Sequence, residues 1–566
     1  RTTLGGFANT GLYRSTDGGG TWTNVPVPTD GLHAGFWDFR VAVTPADPQR
    51  LYAYYGTLFF GETRFMVSSD GGATWQPRGL SQVDSGQFGY NTYLHADPTN
   101  ADTIYLGAHD LYKSTDGGSS WSNMTNNFAQ SGANWTYQPS LSSTHPDQQA
   151  FAFEPGRASV VYLANDGGLW KSSDGGATLQ SLNASLSLIQ FNSLALHPTD
   201  AGFTIGGTQD NGSQRRMKDS AGAPTNSWAY FSGSDGGACL FNPVNPVILF
   251  GTYYAAWVNR FRVSGSNIIF DKEVGTFSTW GESTSNTRIA FYPPLRGNGV
   301  DPRLYFGTWR LFVSDNLGDT WRAPAGTTDL TKGNKDFLTA IGVSPSDVNV
   351  VYTGSGQGRA MVSSDGGASW TDVTAGLPNR FIESVVVKPN DPSAAYLSVS
   401  GFGSGHVFKT NDRGATWSDV SGNLPNVPVS ALLLDPSNPQ VVYAGTDVGV
   451  FRSASGGGAW EAFNEGLPPV PVTAFAAQPG GGRIQVATYG RGAYELTTVQ
   501  VGPSSVAFAA SAVPASETAG KVTLTVTRTG DLSVPARVDY ATVDGTADDR
   551  SDYTAAYGTL RFNANE

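Results

Sequence analysis

Eight variants of one octapeptide, Ser-x-Asp-x-Gly-x-Thr/Ser-Trp, run through this chain and constrain its fold more than any other feature. Four are intact: Ser15–Trp22, Ser68–Trp75, Ser114–Trp121 and Ser363–Trp370. Four are worn: one ends in Leu179, one carries Asn316 at the Asp position, one opens with Thr410, and one has Ser455 and Ala459. The residue types spell a β-hairpin turn. Asp accepts hydrogen bonds from the turn's own amides, Gly supplies positive φ, Ser or Thr bonds the backbone locally, and Trp buries a large apolar face as the chain leaves the turn. This predicts a structural role for Asp17, Asp70, Asp116, Asp174, Asp365 and Asp412.

A second repeat interleaves with the first: an apolar strand, a Pro-containing turn, then a strand rich in Val, Tyr and Gly. Ten such starters begin at Val41, Leu94, Phe151, Leu194, Cys239, Ile289, Ile341, Val385, Leu432 and Ala474. A starter followed by an octapeptide makes four strands, one propeller blade of about 45–55 residues. The starters at Leu194 and Cys239 fill the long interval between Leu179 and Trp321, so two blades lack the turn. Seven starters from Leu194 to Ala474, the last without a fourth strand, predict a seven-bladed ring closed by a strand from about Ser185 to Gln190. Ahead of it lie three full units and a fragment, Arg1 to Val25. The predicted domains are a partial first propeller of about four blades (1–186), a second propeller (187–500) and a different module (501–566). A single ten-bladed ring, pairing Leu4–Phe7 beside Ile484–Thr488, is the alternative.

The octapeptide resembles the Asp-box, or bacterial neuraminidase repeat, of β-propellers such as sialidases, two-propeller xyloglucanases and sortilin-like receptors. GTQDNG at Gly207–Gly212, SDGG at Ser234–Gly237, NDGGLWKS at Asn165–Ser172 and ATYGRGAYEL at Ala487–Leu496 are similar to secreted bacterial proteins with two tandem seven-bladed propellers. The resemblance covers nearly all of residues 1–498. It implies an all-β tandem propeller, roughly three blades of whose first ring are missing from this chain, and a secreted or cell-surface location. It does not decide function, because the family holds both glycosidases and binding proteins.

Composition narrows the partners. The net charge is −12 and no Lys/Arg run occurs, which argues against nucleic acid and anionic membranes. The single Cys239 excludes an intrachain disulfide framework and a cysteine-built zinc site. No apolar stretch reaches the roughly 18 residues of a membrane span. The chain opens on Arg1 without a signal-peptide pattern, so any targeting segment is expected to have been removed.

Loops between the second and third strands of each blade point toward the face on which propellers bind ligands. In the second ring they offer Gln209, Asp210, Asn211, Trp309, Arg359, Asp447 and Arg491, expected to converge on one mouth suited to sugars or peptide termini. Equivalent loops ahead of the ring carry His109-Asp110 and Asn165-Asp166. Asp210 with Asp447 is the best carboxylate pair for glycoside hydrolysis. A sialidase is not expected: the arginine triad, the Tyr/Glu pair and the Phe/Tyr-Arg-Ile-Pro motif that family resemblance would require are missing. His95-x-Asp97 and His145-Pro-Asp147 suggest capping or turn roles more than metal ligation, since neither belongs to a two-His motif.

After Val499 the repeat stops, and the remaining sequence resembles a Calx-beta domain, an immunoglobulin-like sandwich. The resemblance rests on the Glu517-x-x-Gly520 loop, the TVTRTG strand, YATVDGTA and Asp552-Tyr553. About 60 residues are present where such domains run to about 100, so the C-terminus is read as cut. The resemblance implies calcium at Glu517 and Asp552, within an acidic stretch that also holds Asp544, Asp548 and Asp549. The whole sequence therefore favours a secreted or surface-exposed binding or adhesion scaffold for extracellular glycan or protein ligands. An extracellular glycoside hydrolase is the alternative.

Overall fold

The computed structural model describes residues 11–28, 37–57, 62–84, 86–131, 134–138, 144–200, 202–219, 222–265, 267–283, 288–333, 335–479, 483–496, 504–530, 532, 536–548, 552–563 and 566. The chain divides into two compact units, Arg1–Glu495 and Leu496–Glu566. The first is built from small antiparallel sheets, most of them four-stranded with strands in sequential order. One blade shows the plan: Leu338–Val343, Val351–Ser355, Ala360–Ser363 and Thr371–Asp372, with the octapeptide turn joining the third strand to the short fourth.

Each octapeptide turn satisfies its own backbone. In Ser363–Trp370 the Ser363 Oγ accepts from the Gly367 amide at 2.8 Å and donates to Asp365 Oδ1 at 2.8 Å. Asp365 Oδ1 in turn accepts from the Ser369 amide at 2.8 Å, and its Oδ2 from the Ser369 hydroxyl at 2.6 Å. Gly366 and Gly367 hold φ of 70° and 93°, the left-handed region that side chains resist. Ser363 is buried while Asp365 is exposed. Most of the tryptophans pack on the preceding blade: Trp417 Nε1 donates to Val373 O at 2.8 Å and Trp460 Nε1 to Val420 O at 2.9 Å. Trp22 departs from the expected burial, at 62 % exposure, because its two-stranded sheet has no preceding blade among the described residues.

The recurrent Tyr of the second strand ties each blade to the next. Tyr52, Tyr105, Tyr305, Tyr352 and Tyr396 are buried, and their hydroxyls donate to Ala101 O, Gly175 O, Val348 O, Pro392 O and Gly456 O. Between blades lie apolar clusters such as Val407, Val429, Leu432, Leu434, Val442 and Trp460 around Tyr396. Each Val or Leu side chain fully buried there contributes about 1.5–3 kcal/mol.

Seven of these sheets, from Ala195–Leu196 to Ala493–Leu496, contact one another in sequence, and the seventh returns to the first. The closure is made by residues 187–191. Gly492 N donates to Ile189 O at 3.0 Å, Phe191 N to Thr488 O at 3.1 Å, and Ser187 Oγ to Arg491 O at 2.8 Å. Phe191 and Leu194 then pack against Ala476 and Ala487. This seven-bladed ring displaces the ten-bladed alternative: Thr488 pairs with Phe191, while Leu4–Phe7 lie outside the described residues. Before the ring stand three four-stranded sheets and the two-stranded sheet Leu12–Arg14/Thr23–Val25. A hairpin, Phe128–Ser131 with Asn134–Tyr137, is inserted among them.

The two ring blades without octapeptides are built differently. Their outer strands run long, as Pro224–Ser232, Val258–Ser264 and Asn267–Gly275, where turn-bearing blades end in two-residue strands such as Ser418–Asp419. Residues 504–566 form a separate unit with two antiparallel pairs, Ser504–Phe508 with Val526–Gly530 and Ala536–Ala541 with Tyr557–Phe562. No helix among the described residues is long and apolar enough to cross a membrane.

Candidate functional site

The long strands of those two blades, together with loops of the sheets before the ring, enclose a cavity of about 1240 Å³. Asp210, Asn211, Tyr230, Asp235, Trp257 and Glu273 come from the ring, while Phe128, Tyr137, His145 and Asp147 come from the other side. The walls are tied together by polar contacts. His145 Nε2 lies 2.9 Å from Asp210 O, and Asn211 Nδ2 donates to Asp166 O at 2.9 Å. His145 therefore spends itself on a carbonyl, in keeping with a structural role and not a metal site.

Backbone strain collects here. Eight non-glycine residues among those described have positive φ, and Asp147 (65°), Asp210 (58°) and Ser234 (61°) all line this cavity. Such conformations cost about 1–3 kcal/mol each and persist where the surroundings over-determine them.

The carboxylates are set against one another. Burial, then the charges of Asp166 and Asp235, a hydrogen bond with Asp235 and the charge of Asp147 push Asp210 up to about 8. Asp235 Oδ1 accepts from the Asp210 amide at 3.1 Å and from the Tyr292 hydroxyl at 3.2 Å. Those donors make Asp235 the acceptor of the pair and leave the proton on Asp210. Burial also raises Asp147, opposed by a 2.7 Å hydrogen bond from Asn91 Nδ2 and by the neighbouring His109. Tyr230 and Tyr137 are 63 % and 48 % exposed, and Tyr137 packs at a tilt on Phe128 with centroids 5.5 Å apart, so both offer exposed aromatic surface to a ligand.

Of the second-ring residues expected from sequence to share one mouth, Asp210 and Asn211 line this cavity and the others do not, while His145 and Asp147, read from sequence as capping or turn residues, line it too. Gln209 uses its amide to bond Gln190 O at the ring closure, 3.1 Å away. Trp309 is sandwiched by the Arg288 and Arg310 guanidinia, with its Nε1 donating to Glu282 Oε1 at 2.5 Å. Arg359 is consumed by Asp372 at 2.8 Å and by the carbonyls of Asp329 and Thr331. Arg491 is exposed on the closure loop, where its carbonyl accepts from Ser187. The expected Asp210–Asp447 pairing gives way to two separate pairs. Asp447 acts on Glu383, which burial chiefly pushes up to about 7, whereas Asp210 faces Asp235. Glu383 lines a separate space of about 610 Å³ bounded by the first strands of all seven blades.

Sequence reasoning passed over Asp235 and Asp147 as acid–base groups. The available signal was position: Ser234-Asp235-Gly236-Gly237 matches the second to fifth residues of the octapeptide, yet it runs into a first strand, Gly236–Phe241, where no such turn is needed.

In the C-terminal unit, Asp552 Oδ2 accepts from the Asp548 amide at 3.0 Å and Asp544 Oδ1 from the Tyr553 hydroxyl at 2.6 Å. No three His, Cys, Asp or Glu side chains converge as a metal set among the described residues. The Glu517 side chain and residue Asp549 lie outside them. The donor type suits calcium, but the described residues alone do not gather enough of it.

The chain is 27 % identical over 285 residues to a xyloglucanase of Hypocrea jecorina, a match covering 48 % of this chain and 31 % of that enzyme. It is 30 % identical over 150 residues to a probable oligoxyloglucan-reducing end-specific xyloglucanase of Neosartorya fischeri, covering 25 % and 17 %. The chain thus spans about a third or less of the length of these curated relatives. Among solved structures, the Niastella koreensis GH74 enzyme aligns with 81 % of this chain and 91 % of its own at 16 % identity and a TM-score of 0.28. Raptor from Chaetomium thermophilum aligns with 54 % and 28 % at 10 % identity and a TM-score of 0.41. Residues 502–566 match the Calx-beta domain family. By its own ring of seven sheets the molecule is a β-propeller protein, and its C-terminal residues are similar to the Calx-beta domain family.

Proposed function

We propose that the propeller unit is an extracellular glycoside hydrolase acting on β-glucans of the xyloglucan class, with its active site in the cavity around Asp210. The carrying observation is the Asp210–Asp235 pair: a carboxyl that keeps its proton near neutral pH, facing Asp147 across a space flanked by exposed tyrosines. Cleaving a glycosidic bond needs a proton for the leaving oxygen and a second carboxylate to activate water or attack carbon. Asp210 supplies the proton. Asp147 takes one from the water whose oxygen bonds the anomeric carbon, and Asp235 holds the Asp210 proton in place between turnovers. Tyr230 and Tyr137 provide stacking faces for the sugar rings. The xyloglucanases among the relatives support the substrate class. The binding scaffold that the sequence favoured becomes the second reading, because a ligand platform does not require a proton-bearing carboxyl at a strained backbone position.

The test is reducing-sugar release from xyloglucan and mixed-linkage glucan by the wild-type chain and by Asp210→Asn, Asp235→Asn and Asp147→Asn. The expected result is release by the wild type and losses of about 10²- to 10⁴-fold for Asp210→Asn and Asp147→Asn. A wild-type chain that binds these glucans and releases no sugar would restore the scaffold reading.

A further inference from the structure

Behind Asp147, away from the cavity, lies a buried chain of charged groups that the proposed chemistry does not use. His109 Nδ1 is 2.8 Å from Asp84 Oδ2, and His109 Nε2 is 3.9 Å from Asp147 Oδ1. His109 and Asp84 are both buried. Asp84 is fixed by its own neighbours: its amide donates to the Tyr112 hydroxyl at 3.1 Å, and its Oδ1 accepts from the Gly86 amide at 3.1 Å. The imidazole packs against the Phe128 ring with centroids 4.7 Å apart. Phe128 is held in turn by buried Asp110, whose Oδ2 accepts from the Phe128 amide at 2.9 Å.

We infer that His109 is a positioning residue: an imidazolium clamped between the Asp84 and Asp147 carboxylates that keeps Asp147 aimed into the cavity and ionised. The geometry of the three groups favours it, with Asp84 at hydrogen-bond distance from Nδ1 and Asp147 at ion-pair distance from Nε2. A neutral imidazole offers one N–H and one lone pair, so between two carboxylates one of its nitrogens would face an oxygen with no proton between them. A cation donates to Asp84 and attracts Asp147 across 3.9 Å. The groups facing His109 are Asp84, Asp147 and Asp110, all acidic; although burial opposes the charge, the Asp84 hydrogen bond and these carboxylates outweigh it and raise the imidazole. On its other side Asp147 faces Asp166 and His145, and it contributes to the proton held on Asp210. His109 therefore offsets a carboxylate excess that would otherwise protonate Asp147 at mildly acidic pH, where a secreted hydrolase still needs its base.

The kinetic arm of the test rests on the hydrolase reading, and the spectroscopic arm does not. In His109→Gln the side-chain amide keeps an N–H in the place of Nε2 but carries no charge. The expected result is an acidic limb of kcat/KM moved up by about one pH unit, with kcat above that limb close to wild type. A merely structural role would lower activity evenly at all pH values, and an acidic limb left in place overturns the inference. Independently, ¹⁵N spectra of the histidine rings should show His109 doubly protonated at pH 6 in the wild type, with its titration midpoint lowered in Asp84→Asn and in Asp147→Asn. A neutral His109 at pH 6, or a midpoint unmoved by both substitutions, overturns it whether or not the chain hydrolyses any glucan.

Discussion

Asp365 and Asp210 both stand in tight glycine-containing turns of the same ring, yet they are opposite kinds of acid. Asp365 lies exposed at the rim, where the Ser369 hydroxyl, the Ser369 amide and the Ser363 hydroxyl all donate to it and hold its carboxyl down to about 2. Asp210 lies in the cavity, where burial and three carboxylates push it up to about 8. The difference comes from the neighbours: donors make the rim aspartate a fixed anion that organises a turn, and acceptors make the cavity aspartate a proton carrier.

Asp210→Asn tests the sharper side of that contrast and carries the largest expected effect. Hydrolysis should fall by about 10²- to 10⁴-fold while stability rises in a defined window. The folded carboxyl titrates at about 8 and the unfolded one near its ordinary 3.8. From about pH 4 the unfolded chain therefore releases a proton that the native chain keeps, and native stability falls until about pH 8, beyond which the full cost is present. The variant has no such titration, so its melting temperature should gain on the wild type steadily across that range. Parallel melting curves from pH 4 to pH 9 would show that Asp210 is an ordinary surface acid.

Ser363→Ala is expected to cost about 1–3 kcal/mol, because it strips the buried Gly367 amide of its 2.8 Å acceptor. Chemical denaturation reads the loss, and glucan hydrolysis at temperatures below unfolding should not change. If hydrolysis fell with stability intact, rim and cavity would not be separable in function.

The rim was legible in the sequence for the same reason that it is structural. A turn that satisfies its own amides is a local object, so Ser363, Asp365, Gly366 and Trp370 announce it within eight residues. Tyr352 and its counterparts were visible as a repeat, though not as the hydroxyl staples between blades. The cavity is the reverse case. Asp147, Asp210 and Asp235 are brought together by the seating of ring and preceding sheets, and no spacing along the chain encodes that. Asp210 was found because it sits on a loop between second and third strands, a position the blade plan predicts. Arg359 and Trp309 sit on equivalent loops and are taken up by Asp372 and Glu282, so the plan located loops without revealing which of them meet a facing wall. What the sequence did carry was the gap in the repeat: the two blades that lost their octapeptides are the ones whose lengthened strands form the cavity.

The C-terminal unit extends the comparison to acids outside the propeller. We propose that Glu517 and Asp552 bind calcium weakly. At an affinity of about 10⁻³ to 10⁻⁴ M, 1 mM calcium would stabilise this unit by about 0.4–1.4 kcal/mol. Calorimetry with calcium and with chelator should move the transition of this unit alone, and Asp552→Ala should remove the difference. Identical transitions throughout would leave these carboxylates as solvated surface.

The smallest expected effect is the most exacting for the rim. The chain already contains a natural substitution there: Asn316 stands at the Asp position, its Oδ1 accepting from the Thr320 amide at 2.9 Å and its Nδ2 donating to the Thr320 hydroxyl at 2.9 Å. An amide thus keeps the same contacts with no charge, the bond to the hydroxyl running in the opposite direction. Asp365→Asn should accordingly melt close to wild type at pH 7. The two should separate in acid, because a carboxyl depressed to about 2 contributes stability that is complete above its unfolded value near 3.8 and is lost as pH falls through the folded one. Between about pH 4 and pH 2 the wild type should lose its part of the turn's stability while the variant holds. A variant that is already much weaker at pH 7 would mean that the charge of Asp365, with the hydroxyl bond it accepts, and not merely the number of its hydrogen bonds, sets the turn, and the contrast with Asp210 would then rest on field strength as well as on contacts.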